Sequence, residues 1–174
     1  MLSIAEYLRE EQQQSCDFRY VFKFRNRADH FEKLWQMKIS ARESLDDWLL
    51  VSDIAPHTAE VCANACSELI ENCIKYSLED AISVVAIHVT DHEIVIETIN
   101  STRPEYLAEL AEAVQALALS DDPKQVFIQK LLNPVAGKSH LGLSKIVIET
   151  KGSLSLVPHE EVGVVHVKLK MQAE

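Results

Sequence analysis

Glu68, Asn72 and Lys75 form the clearest chemical pattern in this sequence. Residues 59–76 read as a helix, and winding them at about 100° per residue puts Glu60, Asn64, Ser67, Glu68, Glu71, Asn72 and Lys75 on one arc. Cys62, Ala65, Cys66, Leu69, Ile70, Cys73 and Ile74 cover the opposite side. Within the polar arc a carboxylate, an amide and an ammonium stand one turn apart, so a single ligand could meet all three. The competing reading is a solvated helix surface, where glutamate and lysine at this spacing are common. Asn64 and Asn72 weigh against it, because glutamate, lysine or alanine would form helix better at those interior positions.

Other reactive side chains make weaker patterns. Cys62, Cys66 and Cys73 share one helix face, a spacing that a metal could use, but no histidine stands at a matching position. Reduced core thiols are the expectation. The histidines, His140 and His159 among them, are scattered without metal-ligand spacing. Ser139 beside His140 lacks the strand–turn–helix elbow of a nucleophile and reads as loop.

The elements that must position these groups follow from periodicity. Residues 3–14 have the pattern of a short amphipathic helix, forming with the residues up to 16 an N-terminal extension. Phe18–Phe24 alternates as a strand, and Arg27–Leu50 is one helix or two with a bend. Asp53 is the expected N-cap of the next helix, with Pro56 in its first turn and Tyr76 near its end. Ala81–Thr90 and Glu93–Asn100 read as an antiparallel hairpin. Helices are expected over Pro104–Leu117 and Asp122–Leu132, then a loop over Asn133–His140, a helix over Leu141–Thr150 closed by Gly152, and a last hairpin of Ser153–Val157 and Val162–Met171. Strands in pairs between helices favour a two-layer α/β sandwich, a mixed sheet with helices on one face, over a doubly wound parallel fold.

Composition sets the outer limits. At 174 residues with 47% hydrophobic and 25% charged residues, the chain fits one globular domain spanning 1–174. Its net charge of −10 argues against binding nucleic acid, which needs a concentrated basic surface. Glu6, Arg9 and Glu10 interrupt what a signal peptide would keep apolar, and no run approaches the ~20 residues of a membrane span, so the expected location is cytoplasmic.

The run Ser67-Glu68-Leu69-Ile70-Glu71-Asn72-Cys73-Ile74-Lys75-Tyr76-Ser77 resembles the N-box, Glu-x-x-x-Asn, of the GHKL (histidine-kinase-like) ATPases, most closely the small anti-sigma and partner-switching, SiaB-like branch. About seventy residues on, Gly137-Lys138-Ser139-His140-Leu141-Gly142-Leu143-Ser144-Lys145 resembles the family's later glycine box, where a helix start suits phosphate. The resemblance implies ATP and Mg²⁺ as cofactors, with Asn72 as metal ligand, Glu68 as general base, Lys75 as phosphate contact, and Gly137, His140 and Gly142 at the phosphates. It implies a protein partner, an antagonist domain or sigma factor, and small relatives of this class often pair as homodimers.

The sequence departs from the family where adenine would bind. The Asp-x-Gly-x-Gly box has no glycine in Glu97–Pro104, and Asn100 stands in place of the aspartate. His140 replaces the first glycine of the later box, and the intervening segment is helical rather than glycine-rich. Three functions follow: a regulatory protein-binding module whose nucleotide site is weak or lost, an active ATP- and Mg²⁺-dependent serine/threonine kinase or anti-sigma factor, or an unrelated metabolic enzyme with an accidental box.

Overall fold

Prolines set three helix starts in this chain: Pro56, Pro104 and Pro123 each occupy a first turn, where the missing N–H costs nothing and φ is already helical. The computed structural model describes residues 17–120, 122–133, 141–159 and 163–173. In order these form β1 (Phe18–Arg25), a 3₁₀ turn (Ala28–His30), α1 (Phe31–Val51), α2 (Pro56–Tyr76), β2 (Ile82–Val89), β3 (Glu93–Ser101), α3 (Pro104–Ala118), α4 (Pro123–Leu132), α5 (Leu141–Thr150), β4 (Ser153–Leu156) and β5 (Val164–Gln172). The helix expected over residues 3–14 lies outside the described residues.

The strands form one five-stranded sheet in the order β1-β2-β3-β5-β4. Alternation puts Val85, Ile87, Ile94, Ile96, Val167 and Leu169 on one face, where they share a core with Leu45 and Leu49 of α1 and Leu69 and Ile70 of α2. This is the expected two-layer α/β sandwich. The sheet itself corrects one expectation: all four described strand pairings are antiparallel, not mixed. The helices from α3 to α5 return the chain at the outer edge as β4. The β4–β5 hairpin then inserts β5 beside β3, antiparallel to both neighbours.

Two local expectations also change. Asp53 is not the N-cap of α2; it turns the chain with φ 60°, and Ala55 occupies the cap position with no side-chain hydrogen bond. Asp80 and Lys151 share that left-handed conformation, and Gly163 adopts it with φ 82°. The other end of α2 is held from a distance. Buried Asn26 donates its amide to the Ile74 and Ser77 carbonyls at 3.2 Å each, satisfying groups that a helix C-terminus leaves unpaired. Aromatic contacts fix α1 to the edge strand, with Tyr20 5.5 Å and Phe18 6.5 Å from the Trp48 ring.

Candidate functional site

The packing of α2 on the sheet leaves a cleft whose wall carries Asn72, Cys73, Thr98, Asn100 and Tyr106, with about 460 Å³ of empty space around an interior cavity of only about 30 Å³. A space of the smaller size holds about two water molecules. Tyr76 of α2 and Tyr106 of α3 account for the narrowness: their ring centroids lie 4.0 Å apart at a 31° tilt. Burial, reinforced by its hydrogen bond with Tyr76, pushes the Tyr106 phenol well above its ordinary range. Thr102 ties the same corner together by donating its hydroxyl to the Tyr76 carbonyl.

The residues singled out by sequence separate into two groups. Glu68 and Gly142 meet across α2 and α5, so closely that a Cβ at Gly142 would stand 2.9 Å from the Glu68 Oε2. Asn72, one turn along from Glu68, and Asn100 both line the cleft. Asn100 is buried and its Oδ1 accepts from the Cys73 thiol at 3.6 Å. Lys75 goes elsewhere: it donates to Glu71, whose other oxygen accepts from Lys38 of α1 at 2.7 Å. Lys38 in turn lies 3.9 Å over the Trp35 ring. Gly137 and His140 lie outside the described residues. Asn64, a poorer helix former than glutamate or alanine at its position, accepts from Arg42 of α1 at 2.7 Å and so joins the two helices.

One functional candidate escaped the sequence reading. Lys145 on α5 puts its Nζ 3.6 Å from Glu68 Oε1, making it the cation beside that carboxylate. Its position three residues after Gly142, hence nearly one turn on and on the same helix face, was the available signal.

The thiols on α2 are not reactive groups. Cys62, Cys66 and Cys73 are free and buried. Burial first, with the Asp46 charge second, pushes Cys62 up to about 12. Burial likewise raises Cys66 well above the usual range. It raises Cys73 to about 12 despite hydrogen bonds with Thr98 and Ser83 that act the other way. Among the described residues no cluster of three or more His, Cys, Asp or Glu side chains could hold a metal ion.

The fit to a Mg-nucleotide is therefore uneven. Glu68 lies against Gly142, and Asn72 is one turn further along α2 in the cleft wall. Where the resemblance would put the base, the Asn100 oxygen accepts from Cys73 and the tyrosine pair narrows the cleft.

The Glu71 cluster gives a test of how α1 and α2 are joined. Burial alone would raise the Glu71 carboxyl, but hydrogen bonds from Lys38 and Lys75 and the charges behind them outweigh it and hold the group below its usual value of 4.5. A depressed folded pKa stabilises above the unfolded pKa and is lost as pH falls through the folded one. Urea midpoints for native chain and Glu71→Gln should differ at pH 7, with the gap closing as pH drops below about 4. A gap independent of pH would show that the ion pairs contribute nothing.

No protein-family model matches the chain, and no curated protein matches it. Among solved structures it superposes with a TM-score of 0.64 on a chain of the SiaB–SiaC complex from Pseudomonas aeruginosa, at 18% sequence identity and covering 98% of each chain. At that identity the likeness establishes a shared fold over nearly the whole length. Among the described residues no helix is long and apolar enough to cross a membrane.

Proposed function

We propose that this chain is a regulatory protein of a partner-switching signalling system that acts by binding another protein, an antagonist domain or a sigma factor. The observation that supports the reading is the narrow cleft: Tyr76, Tyr106 and the Cys73–Asn100 contact crowd the space beside Asn72. The shared fold with a chain crystallised as part of a two-protein complex supports the same direction. Fold alone does not assign function, so the site has to decide.

A second reading has its own observation. Glu68 meets Gly142, and Asn72 stands one helical turn on from Glu68 in the wall of the cleft, which favours an ATP- and Mg²⁺-dependent serine/threonine kinase or anti-sigma factor of the GHKL type. Calorimetry with ATP and ADP in the presence of Mg²⁺, on the native chain and on Asn72→Ala, separates the two. The proposed function expects no nucleotide heat at millimolar ligand in either protein, together with binding to an antagonist domain or sigma factor encoded beside it. Mg²⁺-dependent ATP binding that Asn72→Ala abolishes would overturn it in favour of the kinase.

A further inference from the structure

β1 lies at the edge of the sheet, so β2 pairs with only one side of its backbone. Just past β1 the Asn26 N–H donates to the Ala81 carbonyl, the next pair in the β1–β2 register. Hydrogen-bonded pairs alternate along an antiparallel ladder, so Val21, Lys23 and Arg25 turn their N–H and C=O groups away from β2. No other described segment pairs with the backbone of those three residues. β1 runs for 8 residues, against 4 in β4 at the opposite edge. An edge of that length is a template for one more strand.

The side chains of the same residues select the occupant. The charged side chains of β1, namely Arg19, Lys23 and Arg25, are all basic, although the chain as a whole carries −10. With Val21 they stand at alternate positions and so share one face of the strand. Lys23 and Arg25 are exposed, and among the described residues neither meets a carboxylate; the Arg25 guanidinium donates to the Asp80 main-chain carbonyl at 2.6 Å. The opposite face of β1 carries Phe18, Tyr20 and Phe22 beside Trp48, and Phe18 is 43% exposed. An added strand sends alternate side chains to the two faces, so one strand can set acids beside Lys23 and Arg25 and apolar groups beside Phe18 and Phe22. A second copy of β1 paired antiparallel about Phe22 would instead set Arg19 opposite Arg25, a like-charge contact.

We propose that the free edge of β1 is the docking site for an extended acidic segment of a protein partner, which adds to the sheet as a further antiparallel strand with its carboxylates beside Lys23 and Arg25. The proposal rests on the partner-binding function and names the chemistry of the partner's contact. Backbone hydrogen bonds along the edge hold the segment, and the cations choose it over basic or neutral strands.

Fluorescence anisotropy on the full chain tests this with two fluorescein-labelled peptides of the length of β1, one alternating valine with glutamate and one with lysine for every glutamate. The expected result is binding of the acidic peptide at least about tenfold tighter than its basic twin. The overall negative charge of the chain opposes that preference, so the preference reports the local cations. Val21→Pro removes an N–H that faces the free edge and leaves the bonds to β2 in place, so it should weaken acidic-peptide binding about tenfold or more. Lys23→Glu, at an exposed position where circular dichroism melts should not change, is the second variant and should remove the preference. Undiminished binding to folded Val21→Pro would overturn the strand in favour of charge attraction alone. Absence of peptide binding, preference for the basic peptide, or an unaltered preference in Lys23→Glu would overturn it outright. Self-association that Val21→Pro abolishes, without peptide binding, would overturn it in favour of a second copy. The partner-binding function fails by a different result, namely that no antagonist domain or sigma factor binds the native chain.

Discussion

Glu97→Ala should destabilise the fold by about 3–5 kcal/mol, the range for removing one partner of a buried ion pair. Glu97 sits on β3 in the middle of the sheet and is 2% exposed. Lys168 of β5 lies directly opposite in register, with its Nζ 3.0 Å from the Glu97 Oε1. The His166 Nε2 is 3.3 Å from the same oxygen, and the His88 Nε2 is 3.5 Å from the other. The two strands flanking β3 thus turn three nitrogen-bearing side chains onto one carboxylate. Alanine would leave those groups in a low-dielectric setting without the charge that justifies their burial. Urea unfolding at pH 7 should show the loss as a lower midpoint at unchanged slope. Glu97→Gln, which keeps an acceptor, should lose less. A loss below about 1 kcal/mol in the alanine variant would mean that the group is effectively hydrated and the cluster adds little.

The second large effect is expected at Gly152, where alanine should cost about 3 kcal/mol, at the upper end for overpacking. A Cβ there would stand 2.3 Å from the Lys170 carbonyl oxygen, a backbone atom that cannot swing aside without opening the β4–β5 pairing. The neighbouring residue gives the control. Lys151, with φ 51°, occupies the left-handed conformation after α5, so Lys151→Gly should be neutral or stabilising by up to about 1 kcal/mol. Thermal melts of both variants check the pair. Equal stability of Gly152→Ala and native chain would show that the strands can separate locally at no cost.

These two sites also show what the sequence could and could not reveal. Gly152 was legible as the end of α5, but its reason was not: the strained φ falls on Lys151, and the glycine is needed because another strand's backbone passes within contact distance. Glu97 read as one more residue of a hairpin strand, since nothing local indicates that a segment about seventy positions later supplies its lysine. Elements defined by short-range periodicity came through well, as with Leu141–Thr150, which matches the structure at both ends. The insertion of β5 between β3 and β4 depended on pairings between distant segments, and the expectation of a mixed sheet failed there. At the candidate site, one-turn spacing makes Glu68 and Asn72 neighbours on α2, and Asn72 lines the cleft. It could not foresee that Lys38 and Glu71 would draw Lys75 toward α1, because the competing partners come from another helix. Nor could it foresee the closure by Tyr76 and Tyr106, which requires knowing how α3 lies over α2.

The position of β5 in the sheet has a consequence for how the protein is made. During synthesis the β2–β3 hairpin emerges well before β5, with the free edge of β3 rich in isoleucine and valine and its future neighbour still about sixty residues away. At a translation rate of about 5–20 residues per second, that edge waits roughly 3–12 s before residues 164–172 exist to cover it. An uncovered edge strand of this composition is a template for pairing with other chains. The antiparallel order that closes the finished sheet thus leaves each nascent chain with an interval of seconds in which the ribosome's surroundings, rather than its own fold, must keep it from aggregating.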